Sequence, residues 1–125
     1  MGSWSIFRHF GAQGLAVGQA AFTLLTPSLL AYREDLEVHI PGFSEAVYQE
    51  YLYVFEEGCV YKKFKDNRLF YRLEVSNAEA TGAHLCGEDH YQAHYSFLGQ
   101  NNFTLTYRVK GPRKDYEILT EFTRA

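Results

Sequence analysis

Tyr91-Gln92-Ala93-His94-Tyr95-Ser96-Phe97 and, after a break at Gly99-Gln100-Asn101-Asn102, Phe103-Thr104-Leu105-Thr106-Tyr107-Arg108-Val109-Lys110 decide the fold. In both segments apolar side chains fall on every second residue, which is the period of a strand with one buried face. The pattern spreads outward from there. Toward the C-terminus, Gly111-Pro112-Arg113-Lys114 turns the chain into a strand carrying Tyr116, Ile118, Thr120, Phe122 and Arg124. Toward the N-terminus, Gly87-Glu88-Asp89 precedes Tyr91, Ala83 to Cys86 is a short strand, and Ser76 to Gly82 reads as a loop. Leu69 to Val75, the turn Lys65-Asp66-Asn67, Cys59 to Phe64, the hairpin Glu56-Glu57-Gly58 and Val47 to Phe55 continue the series. Before them lie Leu29 to Arg33 and a flexible strand through Gly14, Ala16, Gly18, Ala20 and Phe22, separated by the turn Thr26-Pro27-Ser28. The acidic stretch Glu34 to Glu37 and Pro41-Gly42 read as a longer connection. Short strands at even spacing predict an all-β, closed up-and-down antiparallel barrel of about 8 to 9 strands, with a short N-terminal segment capping one end. Residues 1–125 form one domain in this reading, a length sufficient for a real core.

Composition agrees with packed strands. Ten tyrosines and ten phenylalanines bring aromatics to 17% against 22% charged residues, a balance unlike that of a disordered chain. The net charge is −3 and basic residues are interleaved with acids, so no phosphate-tracking stripe is present and nucleic acid is not an expected partner. Gly14 to Ala31 lacks charge, but Pro27, Gln19 and small residues interrupt it, so it fits neither a signal peptide nor a membrane span. The position of a myristoylation Ser or Thr is taken by Ile6. A cytoplasmic location without membrane contact is the expectation, with the oligomeric state left open and a homodimer among the options. Cys59 and Cys86 make no disulfide framework and read as buried free thiols.

In a meander, every second connection lies at the same end of the barrel. Most charge-bearing connections fall on one parity, which gathers Glu34, Asp35, Lys65, Asp66, Arg68, Glu88, Asp89, Arg113, Lys114 and Asp115 at one mouth and leaves the acidic hairpin Glu56-Glu57 at the other. Such a ring is either a solvated ion-pair rim or a charged mouth that selects ligands. His84, Cys86, Asp89, His90 and His94 have the residue types of a zinc site, but His90 and His94 stand about 13 Å apart along a strand at ~3.3 Å per residue. No metal and no cofactor is therefore expected. His84 and Cys86 share a strand face and could form a nucleophilic pair, although no orienting group or oxyanion donor accompanies them.

At the two ends of the chain, Gly2-Ser3-Trp4 resembles the G-x-W opening of lipocalins and other calycins, and Arg124 resembles the basic residue that closes such barrels by packing on that Trp. The segments Asp66-Asn67-Arg68-Leu69-Phe70, His84-Leu85-Cys86, Asp89-His90-Tyr91 and Gly111-Pro112-Arg113-Lys114-Asp115-Tyr116 are similar to a family of small uncharacterised bacterial lipocalin-like proteins. The resemblance implies a calycin-like barrel, closed by Trp4 and Arg124, and leaves the ligand open.

Alternation places Tyr53, Tyr71, Tyr91, Tyr95 and Tyr107 on the inward faces of their strands, with His84 or Cys86 at the edge of the cluster. Buried hydroxyls are costly unless partnered, and His84, water or a ligand are the partners this reading offers. The expected function is binding of a small, largely apolar or aromatic molecule inside the barrel, with an anionic group held by an arginine. Two alternatives stand beside it. One is a small barrel enzyme, an isomerase, cyclase or hydrolase using His84, Cys86 and a tyrosine. The other is an interaction module with a filled barrel.

Overall fold

The structure is a computed structural model that describes residues 2–125. Strands β1 (Gly2–His9), β2 (Leu15–Thr26), β3 (Leu29–Ile40), β4 (Phe43–Glu56) and β5 (Cys59–Phe64) are followed by β6 (Leu69–Ser76), β7 (Glu79–Cys86), β8 (Asp89–Phe97), β9 (Asn102–Gly111) and β10 (Lys114–Arg124). Each strand pairs antiparallel with the next, and β1 pairs with β10 to close the barrel. Closure leaves no strand without neighbours on both sides. A single 3₁₀ turn, Gly11–Gln13, joins β1 to β2, and no helix among the described residues is long and apolar enough to cross a membrane.

The all-β closed meander agrees with the sequence reading, but the strand count is ten, and three local expectations are corrected. The N-terminal segment is not a cap: Gly2–His9 is a strand paired on both sides, its Trp4 and Ile6 buried. Glu34 to Glu37 is not a connection but the middle of β3, where Tyr32, Glu34 and Leu36 are all buried on one face. Ser76 to Gly82 is not a loop, since β7 begins at Glu79 and pairs Ala80 with Tyr95 and Gly82 with Ala93. In each case a charged or small residue on the inner face interrupted the apolar signal without interrupting the strand. The turns follow simple local rules. At Glu57 (φ 50°) and Gly58 (φ 78°) both central residues are left-handed, the mirror-image turn whose twist matches the flanking strands.

Small and large side chains are distributed unevenly around the wall. On β2 the inner face is small from Ala16 through Gly18 to Ala20 before it reaches Phe22, and a Cβ at Gly18 would come within 2.0 Å of the Asp35 carbonyl oxygen, so the close approach of β3 requires glycine there. The bulk comes from β4, β6, β8 and β9, whose Tyr53, Tyr71, Tyr95 and Phe103 are buried. A register shift between Lys62 and Lys63 skips Phe70 on β6, and this bulge brings Phe70 and the following Tyr71 to neighbouring positions, rings 4.5 Å apart. The β5–β6 hairpin is also short. Only Tyr51 to Glu56 of β4 pair with β5, so Phe43 to Glu50 run past its end and leave a notch in the wall.

Trp4 and Arg124 occupy facing positions on β1 and β10, at the end of the barrel called lower below. The Arg124 guanidinium lies 4.3 Å over the indole and donates to the Gln100 carbonyl, while the buried indole meets Phe103 edge-on at 5.0 Å. Burial of the indole dominates this closure, because an exposed cation–π contact contributes only ~0.5–1 kcal/mol. Trp4→Ala is expected to lower the unfolding free energy in urea by about 3 kcal/mol and Arg124→Ala by no more than about 1 kcal/mol. Equal losses would show that the cation, rather than aromatic burial, holds the two ends together.

Candidate functional site

The interior is hollow at both ends and closed across the middle. An upper cavity of about 360 Å³ lies toward the turns that follow β1, β3, β5, β7 and β9, and it includes Arg8, Glu34, Tyr51, Lys62 and Tyr107. A lower cavity of about 600 Å³ is lined mainly by apolar groups such as Leu30, Val60, Leu73 and Phe97, with Trp4 and Arg124 at its side. Phe22, Tyr53, Tyr95 and Phe103 border both and form the partition between them. The upper cavity reaches solvent beside Tyr48 and Gln49, in the part of β4 that runs past the end of β5.

At the floor of the upper cavity four phenols form one hydrogen-bonded chain. Tyr53 and Tyr95 hydroxyls are 2.9 Å apart, Tyr95 and Tyr71 2.8 Å, and Tyr71 and Tyr107 2.8 Å. Three contacts link four hydroxyls, so one phenol proton has no tyrosine to receive it. Lys62 Nζ donates to Tyr107 at 2.9 Å and to Tyr95 at 3.3 Å, and it lies 4.3 Å from the centre of the Tyr51 ring. Lys62 is 2% exposed, and it takes part in no ion pair among the described residues. Burial pulls its amine down to about 7, against the upward pull of the Glu34 carboxylate and with a lesser downward push from Arg8. Burial also raises the hydroxyls of Tyr53, Tyr71, Tyr95 and Tyr107, which keeps them protonated and able to donate.

On the opposite wall Arg8 and Glu34 form a bidentate ion pair at 2.7 and 2.8 Å. Arg8 sits on β1 and Glu34 on β3, so the pair spans β2, whose small inner residues leave room for the guanidinium. Arg8 Nε donates to the Thr120 hydroxyl at 2.9 Å, and the Tyr32 hydroxyl donates to Glu34 at 2.6 Å. Burial would push the Glu34 carboxyl up, but the hydrogen bonds and charge of Arg8, with the Tyr32 hydroxyl, hold it below the usual carboxylate range. The pair is therefore internally neutral, and of the two described basic residues that line the upper cavity Lys62 is the one without an ion-paired carboxylate.

Of the tyrosines expected inside, Tyr53, Tyr71, Tyr95 and Tyr107 come together, and Tyr91 lines the same cavity outside their hydrogen-bond chain. The hydroxyls are satisfied by one another and by Lys62, not by His84. His84 is half-buried, edge-on to Phe70 at 5.3 Å, and does not line the cavity, while Cys86 is exposed at the end of β7. Cys59 is half-buried at the start of β5, at the other end of the barrel from Cys86, so neither thiol is buried and both are free. Arg108 points outward to Asp115 at 2.5 Å, so it is not an interior anion receptor. Asp66, Arg68, Asp89, Arg113, Lys114 and Asp115 all lie at or next to the upper turns, but none lines the cavity. Asp66 pairs with Arg68 and Asp89 with Lys114, forming a solvated rim. Glu34 and Asp35, expected in that rim, are in mid-strand instead. No three His, Cys, Asp or Glu side chains converge as a metal site among the described residues.

The sequence reading missed Arg8, Glu34 and Lys62 as interior residues. A signal was present: Trp4-Ile6-Arg8, Tyr32-Glu34-Leu36 and Val60-Lys62-Phe64 each keep strand alternation with one charge on the inner face.

A closed antiparallel barrel with buried charged groups in an otherwise largely apolar upper cavity, and a more apolar lower one, is the class of protein that the fold and the site define. The chain belongs to DUF6314, a family of unknown function, over residues 1–124. A search of curated proteins finds no match. The S-type phycobiliprotein lyase CPES from Guillardia theta is similar in fold, with 11% identity and a TM-score of 0.68 over 100% of this chain and 88% of that one. The redesigned β-barrel mFAP1, solved bound to DFHBI, has 10% identity and a TM-score of 0.56 over 98% and 93% of the two chains. A de novo designed fluorescence-activating β-barrel has 9% identity and a TM-score of 0.57 over 99% and 92%. At these identities the likeness is one of fold.

Two stability experiments follow from the buried charges. Glu34→Gln strands the Arg8 guanidinium and is expected to cost about 3–5 kcal/mol, most of it recovered in Arg8→Met/Glu34→Leu, because removing both charges leaves nothing unpaired. A double variant as unstable as the single one would show that the pair itself, not the stranded charge, holds the wall. Lys62 carries the opposite sign of pH dependence from a paired lysine. Its folded value of about 7 lies below the unfolded value, so between about pH 7 and pH 10 the unfolded chain binds the extra proton and folding is favoured as pH rises. Denaturant titrations of wild type against Lys62→Met should show the wild type gaining up to about 4 kcal/mol relative to the variant across that window. A flat difference would mean that Lys62 keeps an ordinary affinity for its proton.

Proposed function

We propose that the protein is a calycin-like carrier or receptor for a small, largely aromatic molecule, bound in the upper cavity with one acceptor oxygen directed at Lys62 and the tyrosine hydroxyls. The observation that carries this reading is the surplus of donors at the cavity floor. A Lys62 ammonium has three N–H groups, of which two are used, and one phenol proton is unspent. On the facing wall both Glu34 carboxylate oxygens are already engaged, one by Arg8 and the other by Arg8 and Tyr32 together. An incoming carboxylate, phenolate or carbonyl oxygen would satisfy both donors and compensate the cation, while the rings of Tyr51, Phe70 and Tyr107 would flank its apolar body. Barrels of similar fold include one solved with DFHBI, which gives general support to a small-molecule site in such an interior.

The reading replaces the arginine expected to hold an anion with Lys62, since Arg8 is committed to Glu34 and Arg108 is outside. Calorimetric titration with 2-naphthoate and with uncharged 2-methylnaphthalene provides the test. Naphthoate should bind wild type more tightly, and Lys62→Met should weaken naphthoate by roughly 10- to 100-fold, the worth of a charge-assisted hydrogen bond, while leaving methylnaphthalene nearly unaffected. Tyr53→Phe should weaken naphthoate by a smaller factor. Val75→Trp, which fills the lower cavity, should change neither. Naphthoate affinity that survives Lys62→Met but is lost in Val75→Trp would move the site to the lower cavity and overturn the proposal.

A further inference from the structure

Binding alone leaves one feature of the site unused. Lys62 is a primary amine buried at the floor of an open-mouthed cavity, with no carboxylate in ion-pair contact among the described residues, and a surface position would have served mere charge attraction at far lower desolvation cost. Desolvated lysines in apolar pockets are the amines that react with carbonyl compounds. We propose that Lys62 captures an aldehyde or ketone ligand covalently, as an imine, in the upper cavity. This inference rests on the small-molecule reading above and names the ligand's reactive group.

The chemistry balances without any further reactant. The Nζ lone pair forms a bond to the carbonyl carbon, the carbon–oxygen bond breaks, and the oxygen leaves as water together with both amine protons. The resulting C=N bond returns to amine and carbonyl when water re-enters, so capture is reversible. No electrons are exchanged. The surroundings suit both halves of the step. Tyr95 and Tyr107 oxygens, 3.3 and 2.9 Å from Nζ, fix the direction of the amine, and the unspent phenol proton of the chain can polarise the carbonyl oxygen and assist its departure. The rings of Tyr51 and Phe70, 4.3 and 5.7 Å from Nζ, line the approach and limit the water that would hydrolyse the product.

The groups that bear on the Lys62 proton come from every facing strand. Arg8 on β1 and Glu34 on β3 act in opposite directions, Glu34 raising and Arg8 lowering its hold on the proton. Tyr51 and Tyr53 on β4, Tyr71 on β6, Tyr95 on β8 and Tyr107 on β9 surround it with ring faces and hydroxyls. Burial outweighs these, and the amine is half-neutral near pH 7, where a surface lysine would be almost wholly protonated.

Reductive trapping of the full chain with 2-naphthaldehyde and cyanoborohydride, followed by intact mass and peptide mapping, tests the proposal. A single naphthylmethyl group is expected on the peptide containing Lys62, formed at least tenfold faster than on Lys63, Lys65, Lys110 or Lys114. The ratio of trapping at Lys62 to trapping at the surface lysines should be largest near pH 7 and shrink toward pH 10, where surface lysines also lose their proton. The adduct should vanish in Lys62→Arg and persist in Lys63→Arg, and excess 2-naphthoate should block it in wild type, a control that needs no variant to fold. Labelling spread evenly over the lysines while naphthoate still binds in a Lys62-dependent manner would overturn the imine and leave the binding site standing. Failure of both naphthoate and naphthaldehyde to engage Lys62 would overturn both readings.

Discussion

An ammonium buried among phenols without a carboxylate is the constraint on which the rest of this barrel depends. Bringing Lys62 out of water costs several kcal/mol even after the surroundings relax. The structure offsets that cost with two phenol oxygens, the ring of Tyr51 and the more distant pull of Glu34. Those phenols are in turn fixed by one another. Tyr53, Tyr71, Tyr95 and Tyr107 come from four different strands, so their chain of hydroxyls ties the wall together through the centre rather than around the circumference. Replacing Lys62 by an apolar residue would leave the tyrosines bonded but remove an uncompensated charge from the site.

The second buried charge cluster does a different job. Arg8 and Glu34 satisfy each other, with Tyr32 and Thr120 completing the set, and so they close the opposite wall without drawing in a counterion. That arrangement is possible because β2 contributes Ala16, Gly18 and Ala20, side chains too small to fill the space between β1 and β3. A ten-stranded wall encloses more volume than side chains readily fill. The partition of Phe22, Tyr53, Tyr95 and Phe103 fills the middle and leaves one half that holds buried charges and one that is more apolar. One barrel thus presents two chemically distinct interiors that share a single layer of rings.

The legible parts of the fold were those where apolar alternation ran without interruption. Phe103 to Val109 and Tyr91 to Phe97 are strands with the faces their sequence indicates, and the parity of the turns is enough to gather Asp66, Asp89 and Arg113 at one end. What the sequence obscured were the inner positions occupied by charge. Glu34 reads as a solvated residue in an acidic stretch because nothing local announces that Arg8, on a strand two places away, will neutralise it. Lys62 likewise stands beside Lys63, and only the alternation of Val60 and Phe64 distinguishes the buried lysine from its half-buried neighbour. The phenols could be placed inward by period, but their partner could not be named, since a long-range pairing lies outside any local pattern. His84 and Cys86 drew attention through residue type alone, and their positions give them no share in the cavity.

The seam between β1 and β10 also governs the order in which the chain can acquire its structure during synthesis. Every other pairing in the meander joins neighbours in sequence, so hairpins from β2 to β9 can form as they emerge. β1 obtains only one of its two partners that way, and Trp4 must wait for Phe103 and Arg124 before its indole is covered. Until β10 has been made, the growing sheet carries two open edges, one of them flanked by an uncovered tryptophan. Such edges invite pairing with other chains. The stretch of β2 from Ala16 to Ala20 beside β1 reduces that hazard, because its alanine and glycine inner face offers a wandering strand little to pack against.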